Sequence, residues 1–380
     1  MGIRLGEICR FQSGGTPAKG NLEYFNGTIP WITTVSLNGA QICEENAVEW
    51  ITEKAIKESA AKIVPANSIM VGTRVGVGKV AVNTVPMSTS QDIISLLDID
   101  ETKWYKDFLC KYIQGKSAFL NSQARGATIK GIKIDVLSNL NVPDVSIEEQ
   151  IYISQVIDSV RSVISHRHQE LEKLDDLIKA RFVELFEDGE SPIKTVAELC
   201  SDIVDCPHTT PKYTGELKNP AIRTSEIKKG YITWDSMRYV SDEEYEERVS
   251  RLRPEAGDIV YGREGTFGNA AVLPKGYKFC LGQRVMLLRP DYEKCTSEYL
   301  LHAVISDDVY RQAVGKNNAS TVAHVNVKDV KQFKIPLPSF DKQNQFAEFV
   351  KQVDKSKIAV QAALDKAQLL FDSLMQQYFG

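Results

Sequence analysis

Apolar side chains recur through residues 147–186 at a spacing that places them on one stripe of an α-helix. The stripe reads Ile153, Ile157, Val160, Ile164, Arg167, Leu171, Leu174, Ile178, Arg181 and Leu185. Its steps alternate between four and three, which keeps one face turned toward a partner helix. The same stripe returns 193 positions later as Phe346, Val350, Val353, Lys357, Val360, Leu364, Ala367, Phe371, Leu374 and Tyr378. Each run of about 40 residues would be about 60 Å long at about 1.5 Å per residue, far beyond an average globular helix. Neither helix could bury its stripe alone, so the pattern predicts that one packs against the other. Arg167, Arg181 and Lys357 interrupt the stripe, and their long stems can cover apolar surface while the charge reaches water.

The repetition extends beyond the helices. Leu5-Gly6-Glu7-Ile8-Cys9 is echoed by Val196-Ala197-Glu198-Leu199-Cys200, and Pro65-Ala66-Asn67-Ser68-Ile69-Met70 by Pro254-Glu255-Ala256-Gly257-Asp258-Ile259-Val260. A glycine-rich loop follows in each copy, Gly72 to Lys79 and Gly262 to Asn269. Then come Gln91 and Gln283, Thr128 and Thr321, Pro143 and Pro336, and Gln150 and Gln343. The chain reads as a tandem duplication of a block and a long helix.

Inside each block, short β-rich runs broken by Gly, Pro and Asn predict strands at Ile29–Val35, Ser68–Val71, Lys79–Val82 and Ile93–Leu97. Helices are expected over Asp107–Gly115 and Ser297–Val314. Ser146-Ile147-Glu148-Glu149 fits a capping box at the start of the first long helix. Glu187-Asp188-Gly189-Glu190-Ser191-Pro192 ends it, since glycine can take a left-handed cap and proline cannot continue a helix. The expected boundaries are 1–146 for the first block, 147–188 for the first long helix, 189–338 for the second block and 339–380 for the second helix. The fold class is α+β.

Composition bounds the function classes. At 380 residues and 43% apolar content the chain can hold two or three cores. No run approaches the length of a membrane span, and the first residues lack a secretory signal, which points to the cytoplasm. Seven scattered cysteines fit reduced thiols. The net charge of −4 falls mostly on the first helix, where residues 147–190 carry 5 basic and 11 acidic side chains. The rest of the chain is close to neutral, which permits a local basic face toward nucleic acid without requiring one.

Together these landmarks resemble the specificity subunit of Type I restriction–modification systems over the whole chain. The likeness lies in the tandem order of divergent block, proline-marked entry and long helix. It also lies in Ser13-Gly14-Gly15-Thr16-Pro17, Ile29-Pro30-Trp31-Ile32 and the paired Gly/Arg loops. The helix entries, Pro143-Asp144-Val145-Ser146-Ile147-Glu148-Glu149-Gln150 and Pro336-Leu337-Pro338-Ser339-Phe340-Asp341-Lys342-Gln343, depart from the family's Pro-Pro-Leu-x-Glu-Gln-like form. His208-Thr209-Thr210-Pro211-Lys212 stands where a second Gly-Thr-Pro signature would fall.

The resemblance implies two α/β target-recognition domains joined by two long antiparallel helices that form a coiled coil with an approximate two-fold. It implies double-stranded DNA as ligand, with two modification (methyltransferase) subunits and restriction/translocase subunits as partners. S-adenosylmethionine, ATP and Mg would bind those partners, and no cofactor this chain. A rod of about 60 Å can hold two readers the 34–36 Å of about one DNA turn apart. Since the blocks differ, the target is expected to be asymmetric and bipartite.

Phosphate contacts call for Lys, Arg, Ser, Thr and backbone N–H, and base edges for Arg on guanine and Asn or Gln on adenine. In the first block the candidates are Arg74, Lys79, Gln91, Arg125, Thr128 and Lys130, supported by Ser13, Thr16, Thr34 and Ser36. In the second they are Arg263, Gln283, Arg284, Lys316, Asn317, Asn318, Thr321 and His324, with Thr210 and Lys212. Each also reads as a solvated charge or a turn residue.

Catalytic motifs fit poorly. The spacing of Gly72 to Lys79 is one residue too long for a phosphate-binding loop, and Val80 replaces its Ser/Thr. Cys200, Cys206 and His208 are loosely metal-like, but no Cys-x-x-Cys pair accompanies them. His166 and His168 read as helix-surface residues. Glu101-x-Lys103 and Glu226-x-Lys228 are fragments of a nuclease pattern, and neither repeats in the other copy. The chain is expected to be non-catalytic. The alternatives are a self-contained DNA modification or cleavage enzyme and a coiled-coil protein-interaction scaffold. The acidic face Glu170, Glu172, Asp175, Asp176 and Glu184 reads equally as a docking surface for the partners and as a solvated face.

Overall fold

A computed structural model describes residues 2–126, 130–186, 189, 191–264, 268–315 and 325–380. The chain divides into two compact units, residues 1–168 with 362–380, and residues 169–361. Each long helix therefore contributes one half to each unit. The helices run from Ile147 to Phe186 and from Phe340 to Phe379, 40 residues apiece. Every stripe position named above is buried or half-buried, so the periodicity marks a real seam.

In the first unit the early part of one helix meets the late part of the other. Ile153 and Ile157 share a core with Phe379, and Phe371, Met375 and Tyr378 pack against it. In the second unit Ile178, Phe182 and Phe186 share a core with Phe346, Val350 and Val353. The helices thus run antiparallel within each unit. Among the basic stripe positions, Arg181 lies over the Phe349 ring at 5.8 Å while bonding Glu184 at 2.7 Å. Lys357 reaches Asp175 at 2.5 Å. Their stems fill the seam and their charges leave it.

Within the first unit a five-stranded sheet and a four-stranded sheet form the block. The first holds Arg10–Ser13, Ile93–Leu97, Ile69–Gly72, Val80–Asn83 and Gln41–Ile42, and the second is built around Phe25–Ile32. The second unit repeats the plan with two four-stranded sheets, one containing Cys200–Asp205, Val285–Pro290, Ile259–Gly262 and Ala270–Val272. Both blocks close in the same way. Gly2–Arg4 pairs antiparallel with Asn141–Pro143, and Ile193–Thr195 with Lys334–Pro336, so the segment entering each long helix is zipped to the start of its block.

The repeated glutamines explain how the helices are set on the blocks. Gln150 and Gln343 are fully buried. Gln150 accepts from Tyr105 N–H at 2.8 Å and donates to the Lys103 and Val145 carbonyls at 2.9 and 3.0 Å. Gln343 accepts from Thr296 N–H at 2.9 Å and donates to the Lys294 and Pro338 carbonyls at 3.2 and 3.0 Å. Each side-chain amide satisfies three backbone groups that would otherwise be buried unpaired.

Two local expectations need correction. The stretch 297–314 is two helices, Ser297–Val304 and Asp307–Gly315. Ser306 breaks it by accepting from Val309 N–H at 3.3 Å, an N-cap that starts a new helix. The strand expected to reach Val35 stops at Ile32, because Ser36 N–H turns back to the Thr33 carbonyl at 3.0 Å. Ser146 caps the first long helix by accepting from Glu149 N–H at 3.3 Å. Past its end, Gly189 has φ +77°, the left-handed conformation expected of a helix stop.

Candidate nucleic-acid interface

In the first unit the glycine loop is closed by backbone bonds from Gly72 N–H to the Lys79 carbonyl (2.8 Å) and from Gly78 N–H to the Gly72 carbonyl (3.0 Å). Gly76 and Gly78 have φ of +73° and +82°, conformations that side chains resist. Thr73 then ties the loop to two neighbours. Its N–H donates to the Asp92 carbonyl, and its own carbonyl accepts from Ile132 N–H, both at 2.8 Å. Arg74 pairs with Asp92 at 3.4 Å. Gln91 is exposed and bonded to the Thr16 hydroxyl. Trp31 donates its indole N–H to the Gly15 carbonyl at 3.1 Å, joining the Gly-Gly-Thr-Pro and Pro-Trp motifs. Any Cβ on Gly15 would fall 2.1 Å from the Ala60 carbonyl oxygen, which excludes other residues there.

The second unit rebuilds the same frame. Gly262 N–H donates to the Asn269 carbonyl (2.8 Å) and Gly268 N–H to the Gly262 carbonyl (3.2 Å). Arg263 N–H donates to the Arg284 carbonyl, and Val325 N–H to the Arg263 carbonyl, both at 3.0 Å. Gln283 donates to the Thr210 hydroxyl at 2.9 Å, so Thr210-Pro211 stands in the place of Thr16-Pro17.

The loop arginines of the two units are not equivalent. Arg263 occupies the position of Thr73, not of Arg74. Its side chain is 7% exposed, with the guanidinium paired with Asp205 at 2.7 Å and close to the Val325 carbonyl at 3.4 Å. Arg263 is a buried structural cation, and its expected place among the DNA-contacting residues is corrected. Thr34 is corrected too, being 4% exposed and within reach of any Cβ at Gly72. Ser36 is half-buried and donates to the Asn46 carbonyl at 2.8 Å. Ser13, Arg74, Lys79, Arg125, Lys130, Lys212 and Arg284 are exposed. Arg125 forms a two-way backbone bridge with Gly131, at 2.9 and 3.0 Å, and Gly131 faces the Arg74 stem. Thr128, Lys316, Asn317, Asn318, Thr321 and His324 lie outside the described residues.

Arg248 was missed by sequence reasoning. It is buried, donates to the Leu281 and Gly282 carbonyls at 2.9 Å each, and lies 3.4 Å from the Thr209 carbonyl. One guanidinium thereby pins the two loops that carry Thr210 and Gln283. Nothing in its helical context, Asp242–Arg248, separates it from a surface arginine. Asp92 and Glu264, the carboxylates beside the exposed arginines, were also passed over.

The chemical fragments set aside earlier have structural partners. Glu226 is wholly buried and bonded to Arg223 at 2.5 Å, and Glu101 to Lys106 at 2.6 Å. Burial pushes the thiols of Cys9, Cys110, Cys280 and Cys295 up to about 12 and raises that of Cys200 as well. Among the described residues no group of three or more His, Cys, Asp or Glu is placed to hold a metal ion. No helix among them is long and apolar enough to cross a membrane.

The fold is thus that of a duplicated α+β protein whose two units repeat one loop frame and share two long helices. A family model described as the Type I restriction modification DNA specificity domain matches residues 2–175 and 209–368, and the chain belongs to that family. Over 204 residues it is 29% identical to the Type I restriction enzyme MjaIX specificity subunit of Methanocaldococcus jannaschii, covering 53% of this chain and 47% of the relative. Over 165 residues it is 30% identical to the EcoR124I/EcoR124II specificity subunit of Escherichia coli, covering 40% and 39%. These matches span less than half the length of either relative. The M. jannaschii MjaVIII specificity subunit matches at 22% identity over 93% of this chain and 85% of the relative. Among solved structures, a chain from a study of complex assembly and conformational transition in the type I R-M system superposes with a TM-score of 0.66 at 16% identity, covering 100% and 97%. The S subunit from M. genitalium gives 0.53 at 15%, covering 100% and 96%. Both support the fold.

Proposed function

We propose that this chain is the DNA sequence-specificity subunit of a Type I restriction–modification complex, and that each unit reads one half of an asymmetric, bipartite target in double-stranded DNA. One observation carries the reading. Both units build the same surface frame, a glycine loop beside a Thr–Gln bridge, and fill it with different side chains. Like frames suit like tasks, and unlike occupants suit unlike half-sites. The exposed Lys79, Lys130 and Lys212 supply phosphate contacts, while Gln91, Gln283, Arg74 and Arg284 stand where base edges would be met.

In this reading the chain does no chemistry. Two modification subunits bring S-adenosylmethionine, and restriction/translocase subunits bring ATP and Mg, all in the cytoplasm. Mapping methylated adenines in the source cell, with and without this gene, tests it. A gene-dependent motif in two parts separated by an unread spacer is expected. A single contiguous palindromic footprint would overturn the proposal. Binding by the assembled complex should also weaken linearly in log K against log salt, as phosphate contacts release counterions.

A further inference from the structure

The two frames carry an ion pair at the same backbone positions with its charges exchanged. In the first unit the residue after Thr73 is Arg74, and the residue whose carbonyl Thr73 N–H bonds is Asp92. In the second unit the residue after Arg263 is Glu264, and the residue whose carbonyl Arg263 N–H bonds is Arg284. Arg74 pairs with Asp92 at 3.4 Å, and Arg284 with Glu264 at 3.0 Å. The cation sits on the glycine loop in one unit and beside the bridging glutamine in the other.

Both pairs share a second asymmetry. The carboxylates are 26% and 28% exposed, whereas the arginines are 51% and 61% exposed. In each, the acid is the anchored member and the guanidinium the outward one. Arg284 also holds a left-handed backbone, φ +64°. Non-glycine residues rarely adopt that conformation, and it concentrates at functional positions.

We propose that each pair is the guanine reader of its half-site, with Arg74 and Arg284 making the base contact and Asp92 and Glu264 acting as positioning residues. The proposal rests on the DNA-reading function above. A guanidinium offers a planar fork that matches guanine O6 and N7. A carboxylate gripping one edge fixes the plane of that fork before DNA arrives. Because the pair is inverted between units, the two arginines enter from different loops of the same frame.

The test uses the full chain assembled with its modification subunits, with methylated motifs mapped in cells and discrimination then measured on duplexes of that motif. Arg74→Gln should relax one G·C position of one half-site by about 5- to 150-fold, the range for a bidentate base contact, and leave the other half-site unchanged. Asp92→Asn should relax the same position, and Asp92→Glu should restore it, which a merely structural role would not do. Glu264→Gln and Arg284→Gln should act likewise on the other half-site only. Unchanged motifs in these variants, or equal loss at both half-sites, would overturn the inference. A wild-type gene that directs no methylated motif would instead overturn the proposed function, so the two failures are distinct.

Discussion

Replacing Phe346 with alanine tests whether the seam holds the second unit together. The ring is fully buried and meets Phe182 at 5.5 Å, Phe186 at 5.3 Å and His302 at 5.1 Å, each near edge-on. Removing a buried phenylalanine costs about 3–5 kcal/mol. That whole-residue cost already contains the lost aromatic pairs and the helix propensity that alanine returns, at most about 0.7 kcal/mol. A net loss of about 4 kcal/mol is expected, a large part of the usual 5–15 kcal/mol of a domain. With a urea slope of about 2–3 kcal/mol per M, the unfolding midpoint should fall by about 1.3–2 M. Hydrogen exchange of the intact chain, read by mass spectrometry, locates the effect. Protection should fall in 259–262 and 297–304 and persist in 93–97 and 106–113. Ile358→Ala, on the same helix but 71% exposed, should change stability by less than about 0.5 kcal/mol. A loss below about 1 kcal/mol for Phe346→Ala, or one matched by Ile358→Ala, would refute the seam as the organising contact.

Three further outcomes follow from the same geometry. Gln343→Leu leaves the Thr296 N–H and two carbonyls buried without partners, and should cost at least about 1–3 kcal/mol in urea unfolding, with Gln150→Leu doing the same in the first unit. Arg263→Met should destabilise the second unit by about 1–3 kcal/mol, since the half-buried Asp205 loses its charged hydrogen-bond donor. Thermal unfolding without DNA distinguishes this from the loss of a mere surface contact. His302 is held down to about 4, first by burial and then by repulsion from Lys357, against some attraction from Asp175. The folded form therefore stays neutral while the unfolded chain takes its proton near pH 6.5. Stability should be lost as pH falls from about 6.5 toward 4, by at most about 3.5 kcal/mol at about 1.4 kcal/mol per tenfold in proton affinity. His302→Leu should abolish that acid-side slope.

The seam was legible because it is a local signal. Periodicity at 153–185 and 346–378 is read within one segment, and helices too long to shelter themselves must find a partner. The glutamines at 150 and 343 were visible as landmarks, but their work was not. Each spans about 47 positions to reach the loops at 103–105 and 294–296, and such contacts leave no trace in local pattern. Strand pairing is equally remote, as where Trp31 and Ile32 run parallel to Ser88 and Thr89. The error at Arg263 has a specific origin. Arg74 and Arg263 were chosen as readers because each is the arginine of its glycine loop, whereas the backbone hydrogen bonds align Arg263 with Thr73. Residue type misled because the charge had moved to Arg284, twenty-one positions further on.

That displacement says something about how such a chain divides its labour. The frame is made of groups that are costly to change. Glycines at 14 and 15 leave no room for a Cβ, and the two clamping glutamines each satisfy three backbone groups, worth about 1–3 kcal/mol for every one left unpaired. The occupants are cheap by comparison. Pairs such as Arg74–Asp92 and Arg284–Glu264 have arginines more than half exposed, and exposed pairs contribute only about 0–1 kcal/mol to stability. Inverting such a pair therefore leaves folding nearly untouched. A guanine contact, in contrast, is worth about 1–3 kcal/mol of discrimination. Under the proposed function, the positions that matter least to the fold are those through which a half-site would be rewritten, and two units with one backbone plan would read different sequences.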